Sequence, residues 1–276
     1  MSNEHSIKTF LKWAGNKSSV VNYIRPYMSG SKLIEPFSGS CAVSLKTQFD
    51  SYICNDLNPE LINIYKLIQN DVDDFILKTK EYFLNGNDRE VFDSLRNKFN
   101  STNDIDEKSY LFLYLNRHCF NGLCRYNKSG KFNVPFGSYS SPYFPEKEIR
   151  DFYDYTKNKF EFTNQNYLKC FEKVDSLTTV YADPPYSALT KTADFSNYTG
   201  SDFNHKDHIE LRDVSYQTSR DKKCVVIISN HDTIETRKLY ENADIIVSFK
   251  VKRTISSKTS ERNSAPELLA IYQGKK

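Results

Sequence analysis

The residues best equipped for chemistry are Asp183-Pro184-Pro185-Tyr186. They follow Thr179-Val180-Tyr181-Ala182, a short apolar run that reads as a buried strand. A strand ladder cannot pass through two prolines, because neither has an N–H to donate. The chain therefore leaves the sheet at Asp183, at the carboxyl end of a strand, where α/β folds place their ligands. A carboxylate, a rigid carbonyl and a flat ring in succession suit the grasp of a planar amine. The same four residues also describe a polyproline-like turn with a surface acid. Alone they do not decide between the two.

Two more strand ends offer polar groups. Lys32-Leu33-Ile34-Glu35-Pro36-Phe37-Ser38-Gly39-Ser40-Cys41 reads as a first strand, a turn of small residues and a helix start. It lacks the Gly-x-Gly-x-x-Gly spacing, so a dehydrogenase-type pyrophosphate loop is not supported. Tyr52-Ile53-Cys54-Asn55-Asp56 reads as a second strand ending in an acid, the position that grips ribose hydroxyls in such folds. Asn58, just before Pro59, is the better helix cap, which leaves Asp56 free. Upstream, Trp13 is the one tryptophan of the chain, followed by Ala14-Gly15-Asn16-Lys17. A helix is expected over 17–28, with Val20, Val21, Ile24 and Tyr27 on one face.

The elements that must position these groups follow a strand–helix alternation with one interruption. From about 60 to 158 the alternation stops, and helices are expected over 72–84, 88–99 and 105–118. A loop-rich stretch, Phe120 to Tyr139, then turns at Asn127-Lys128-Ser129-Gly130, a hairpin signal. A ribbon of this kind fits the major groove of DNA, where Arg125 would be a reader of guanine. An ordinary exposed hairpin has the same composition. The alternation resumes with strands over 160–164, 224–230, 244–251 and 267–272 and helices over 204–219 and 233–242. Residues 187–203 are polar. The basic, hydroxyl-rich linker 252–262 reads equally as a solvated loop or a phosphate contact.

Composition narrows the classes. The chain has 276 residues, enough for one large domain with an insertion. Its net charge of +3 means that any basic face is local. Nineteen Tyr and nineteen Phe suit a core or a base-stacking protein. No apolar run is long enough to span a membrane, and the first residues show no signal-peptide core. The six cysteines are scattered, which predicts reduced thiols in a cytoplasmic chain rather than disulfides or zinc. The five histidines have no metal spacing.

Several motifs, in order, resemble the Dam family of DNA adenine-N6 methyltransferases. They are Phe10-Leu11-Lys12-Trp13-Ala14-Gly15-Asn16-Lys17, Glu35-Pro36-Phe37-Ser38-Gly39, Asn121-Gly122-Leu123-Cys124-Arg125-Tyr126-Asn127, Asn133-Val134-Pro135-Phe136-Gly137 and Asp183-Pro184-Pro185-Tyr186. Ser229-Asn230-His231-Asp232-Thr233 and Ser256-Ser257 also fit. The resemblance implies a Rossmann-like class I methyltransferase sheet built from residues 1–58 and 159–276. It implies an inserted, mostly helical target-recognition domain over 59–158 that carries the β-hairpin. It implies S-adenosylmethionine as methyl donor, adenine in double-stranded DNA as acceptor, GATC as the usual site, and no metal. A monomer or weak dimer on DNA is expected.

Carried over residue by residue, the resemblance places Trp13, Lys17, Phe37, Asp56 and Asp183 at the cofactor. Asp183, Pro184, Pro185 and Tyr186 form the catalytic tetrapeptide. Lys12 and Tyr139 approach the first base pair. Arg125 reads a guanine, with Leu123 and Pro135 beside it. Phe120 inserts into the base stack, with Asn121 next to it and Asn127 at the turn. Three features depart from the family pattern. Ser40-Cys41 replace small residues ending in Gly, Phe120 replaces Tyr, and Ser138, Ser140 and Ser141 replace residues often basic. The last change predicts fewer phosphate contacts and a flatter salt dependence. The rival readings are an amino-methyltransferase for cytosine N4 or a protein amide, and a non-catalytic DNA-binding protein.

Overall fold

Apolar residues with period two become one twisted sheet. The computed structural model describes residues 7–84, 86–186, 203–252 and 264–274. Its strands are β1 (Lys32–Glu35), β2 (Ser51–Asn55), β3 (Phe160–Thr163), β4 (Thr178–Ala182), β5 (Val225–His231), β6 (Ile245–Lys252) and β7 (Ser264–Gln273). The order across the sheet is β3-β2-β1-β4-β5-β7-β6. The run from β3 to β5 is parallel, and β7 pairs antiparallel with both β5 and β6. This is the Rossmann-like sheet expected from the sequence. The order reverses between β1 and β4, so the crevice for a ligand opens above their carboxyl ends.

The alternation divides the core between the two faces. Leu33, Tyr52, Cys54, Tyr181, Ile227, Leu269 and Ile271 point to one side. Ile34, Ile53, Val180, Ala182, Val226, Ile228 and Leu268 point to the other. The second face is covered by α7 (Leu168–Phe171), α8 (His205–Lys222) and α9 (Ile234–Leu239). The first face is covered by the segment inserted between β2 and β3. That segment holds α2 (Pro59–Asn70), α3 (Val72–Leu84), α4 (Arg89–Ser101), α5 (Ile105–His118) and α6 (Glu146–Thr156). Phe75, Phe92, Phe112 and Phe152 of these helices belong to the same apolar cluster as the sheet residues. Burying a side chain of this size contributes about 1.5–3 kcal/mol, so the insertion and the sheet stabilise each other.

Caps and prolines set the helix ends. Asn58 accepts the Leu61 N–H at the start of α2, with Pro59 in the first turn, as expected. The single helix expected over 17–28 is broken. A 3-10 turn at Lys17–Ser19 leads into α1 (Val21–Ile24), and a second 3-10 turn runs over Arg25–Tyr27. Pro26 explains the break, because its ring and missing N–H stop an α-helix. The helix expected after Cys41 is likewise one 3-10 turn, Ser44–Lys46. Cys41 has a left-handed backbone with φ 56°, which interrupts the helical run and is where a glycine would be at ease.

The hairpin is irregular. Its arms meet at two isolated antiparallel bridges, Cys119 with Phe136 and Tyr126 with Phe132. Phe120 N–H donates to the Pro135 carbonyl, Gly137 to His118 and Asn133 to Arg125. A regular ladder is prevented by Pro135, which has no N–H, and by left-handed Asn121 and Gly122. Asn127 Oδ1 accepts the N–H groups of Ser129 and Lys131, so it builds the turn itself.

Candidate active site

Asp183 leaves β4 where the crevice opens, and its carboxylate is held from two sides. Lys17 Nζ lies 3.3 Å from Asp183 Oδ1, and Ser229 Oγ donates to the same oxygen at 3.3 Å. Ser229 ends a short relay, since Tyr181 hydroxyl lies 2.7 Å from its Oγ. Burial pushes the Asp183 carboxyl above its ordinary range, while Lys17 draws it back down. Pro184 is buried and Pro185 half-buried. The Tyr186 ring lies 4.6 Å below Lys17 Nζ and takes the edge of His231 at 4.4 Å.

Glu267 completes the group, and it carried no role in the sequence reading. Its Oε2 lies 3.7 Å from Lys17 Nζ and accepts the Tyr186 hydroxyl at 3.5 Å. The β5–β7 register pairs His231 with Glu267, which brings the start of β7 to the carboxyl end of β5. The one available sequence signal was an acid opening an otherwise apolar strand, Glu267-Leu268-Leu269-Ala270-Ile271.

Glu35, at the end of β1, is buried below the crevice. Ser44 donates both its N–H and its hydroxyl to Glu35 Oε1. Burial pushes its carboxyl up to about 8, against the pull of Ser44. The folded chain therefore keeps this proton up to about pH 8, while the unfolded chain loses it above the ordinary carboxylate range. Stability must fall as pH rises between about 5 and 8. Glu35→Gln is expected to gain roughly 4 kcal/mol over the wild type at about pH 8 and less than about 1 kcal/mol at about pH 5. Urea melts at the two pH values check this.

Phe37 and Asp56 stand just past the carboxyl ends of β1 and β2, and Trp13 packs against the loop after β1. Contrary to the expectation from the sequence, Asp56 is not free. Its Oδ2 accepts the Gly39 N–H at 3.0 Å and its Oδ1 the Asn58 N–H at 3.0 Å, and burial raises its carboxyl. Phe37 stacks on Tyr167 at 5.2 Å and meets Phe203 edge-on at 5.5 Å. Trp13 presses on Gly39, which has φ 44°; a Cβ there would lie 2.5 Å from Trp13 Nε1. Gly39→Ala is expected to displace the indole and cost about 1–3 kcal/mol. The single tryptophan makes this visible as a fluorescence shift alongside a lower melting temperature.

The hairpin residues are joined to this crevice through Lys12. Lys12 Nζ lies 4.1 Å from the centre of the Tyr139 ring, and the Tyr139 hydroxyl accepts the Asn121 N–H at 2.9 Å. Asn116 of α5 accepts the Lys12 N–H at 2.9 Å and donates to the carbonyls of Lys12 at 2.7 Å and Gly122 at 3.1 Å. Phe120 is exposed and Leu123 half-buried; Arg125, Asn127 and Pro135 are exposed. Arg125 Nε donates to Asn133 Oδ1 at 2.8 Å, which fixes the guanidinium across the hairpin. The linker 253–263, with Ser256-Ser257, and residues 187–202 lie outside the described residues.

The sequence pattern of the D12 class N6 adenine-specific DNA methyltransferases matches residues 13–255, a span that contains Trp13, Lys17, Phe37, Asp56, Arg125 and Asp183 to Tyr186 but neither Lys12 nor Glu267. This chain belongs to that family. A DNA adenine methylase of Vibrio cholerae serotype O1 is 43% identical over 267 residues, covering 96% of both chains. A DNA adenine methylase of Serratia marcescens is 42% identical, over 96% of this chain and 98% of the relative. One from Escherichia coli K12 is 40% identical, over 96% and 95%. This D12-class methyltransferase is a site-specific, adenine-specific enzyme acting on DNA, built on a seven-stranded Rossmann-like sheet. Among the described residues of the methyltransferase, no helix is long and apolar enough to cross a membrane and no group of side chains has metal spacing. All six of its cysteines are buried free thiols.

Proposed function

We propose that the chain transfers a methyl group from S-adenosylmethionine to N6 of an adenine turned out of double-stranded DNA, at GATC sites. The observation that carries this reading is Asp183-Pro184-Pro185-Tyr186 standing at the point where the strand order reverses. The crevice suits the donor. Asp56 stands where ribose hydroxyls are gripped, Trp13 and Phe37 offer flat apolar surface, and the carboxylates of Asp183 and Glu267 suit a cation. S-adenosylmethionine, when bound, supplies an electrophilic methyl on a sulfonium.

The protein's own part is to make the amine a better nucleophile. The lone pair of an adenine amino group is conjugated into the ring. Asp183 and the Pro184 carbonyl accept its two N–H bonds, which favours a pyramidal nitrogen with its lone pair exposed. Tyr186 stacks on the base, and its hydroxyl is anchored by Glu267. Much of the rate then comes from holding the reacting atoms in line. The base must leave the duplex to reach Asp183, a cost of about a few kcal/mol.

Residues 59–158 act in this reading as the target-recognition domain. Lys12 and Tyr139 face the first base pair, Arg125 reads a guanine, Leu123 and Pro135 pack beside it, and Phe120 fills the stack. The test is mass spectrometry of nucleosides from treated duplex DNA, with a sequencing map of the modified positions. N6-methyladenine confined to GATC is expected. N4-methylcytosine, or no incorporation at saturating donor, would sink the reading.

A further inference from the structure

Asp183 and Glu267 share one ammonium. Lys17 Nζ reaches both, at 3.3 Å and 3.7 Å. The two carboxylate side chains are 19% and 11% exposed, so water screens them weakly. The other groups bonded to them among the described residues are hydroxyls, Ser229 and Tyr186 on Asp183 and Tyr186 on Glu267, with Tyr181 behind Ser229. Among the described residues, Lys17 is the cation that contacts both acids. Burial pushes both carboxyls up, and where both are ionised the described residues leave one negative charge unbalanced in a poorly solvated crevice, which is costly unless a further cation enters.

We propose that Glu267 makes the crevice charge-selective, favouring the cationic methyl donor over the neutral thioether left after transfer. The proposal rests on the reading of S-adenosylmethionine as the donor. Transfer breaks the S–CH3 bond, leaves its electron pair on sulfur and forms the N–CH3 bond, and the nitrogen then passes a proton by way of Asp183 to water. The ligand thus loses its sulfonium charge at the moment it becomes product. A crevice with one carboxylate in excess loses that much attraction for it. Glu267 would hold the donor and loosen the product without touching the reacting nitrogen.

The test is calorimetric binding of three ligands to the full chain. These are S-adenosylmethionine, its demethylated thioether product, and an analogue with a protonated amine in place of the sulfonium. Wild type is expected to prefer both cations to the thioether, a comparison that needs no variant. Glu267→Gln keeps the shape and removes the charge. It is expected to shrink that preference about ten-fold. Glu267→Asp keeps the charge and is expected to keep the preference, even where all three affinities fall. A Gln variant that weakens the three ligands alike would assign Glu267 a purely structural part and overturn the proposal. So would a wild type that binds all three equally. A wild type that binds none of them would overturn the donor assignment together with the proposal.

Discussion

Asp183→Ala is expected to lower methyl transfer by about three orders of magnitude or more while duplex DNA binding changes no more than a few-fold. The carboxylate is the acceptor on which the amine would be held, and its Oδ1 is the point where Lys17 and Ser229 converge. Removing it takes away both the hydrogen bond that shapes the nitrogen and the partner that fixes Lys17. Asp183 lies past the last residue of β4, so the apolar strand beneath it is untouched. The hairpin, with Arg125 held by Asn133, is likewise unaffected. Radiolabelled methyl transfer beside an electrophoretic binding assay separates the two quantities. Full transfer activity in the variant would refute the role given to Asp183.

Arg125→Ala is expected to leave transfer chemistry in place and relax the choice of base, by about 1–3 kcal/mol of discrimination at one position. Arginine suits guanine because its planar fork can donate to two acceptors on the base edge. Here the fork is steadied before any ligand arrives, since Nε donates to Asn133 Oδ1 and Nη2 faces the Asn133 carbonyl. The check is the ratio of kcat/KM on the target site to that on sites with the guanine replaced. An unchanged ratio would show that Arg125 does not read it. Asn133→Ala would cost less, because it removes the support and leaves the fork.

Much of the sheet was legible because its signals are local. Period-two apolar runs marked the strands, and the two prolines after Asp183 marked where the chain leaves the sheet. Helices α3 and α5 end where their patterns predicted, at Leu84 and His118. Pro26 was an equally local signal against one continuous helix over 17–28, but the apolar periodicity there outweighed it. What could not be read depends on tertiary placement. Glu267 joins the crevice because β7 returns antiparallel beside β5, and nothing in its own neighbours announces that pairing. Asp56 reads as a free acid until the fold sets Gly39 and Asn58 against its two oxygens. Asn116 sits in the middle of a helix and looks like any polar residue there, yet it ties Lys12 to Gly122.

The continuous packing of the inserted helices on one sheet face bears on how this enzyme can be altered. Phe75, Phe92, Phe112 and Phe152 fill the same interior as Leu33, Tyr181 and Ile271. A foreign segment transplanted in place of residues 59–158 would have to supply about half of that interior as well as the recognition role proposed for it. Wholesale exchange is therefore a poor route to new targets, whereas changes confined to the exposed tip of the hairpin disturb little that is packed. The same continuity predicts that the segment and the sheet melt in one cooperative step.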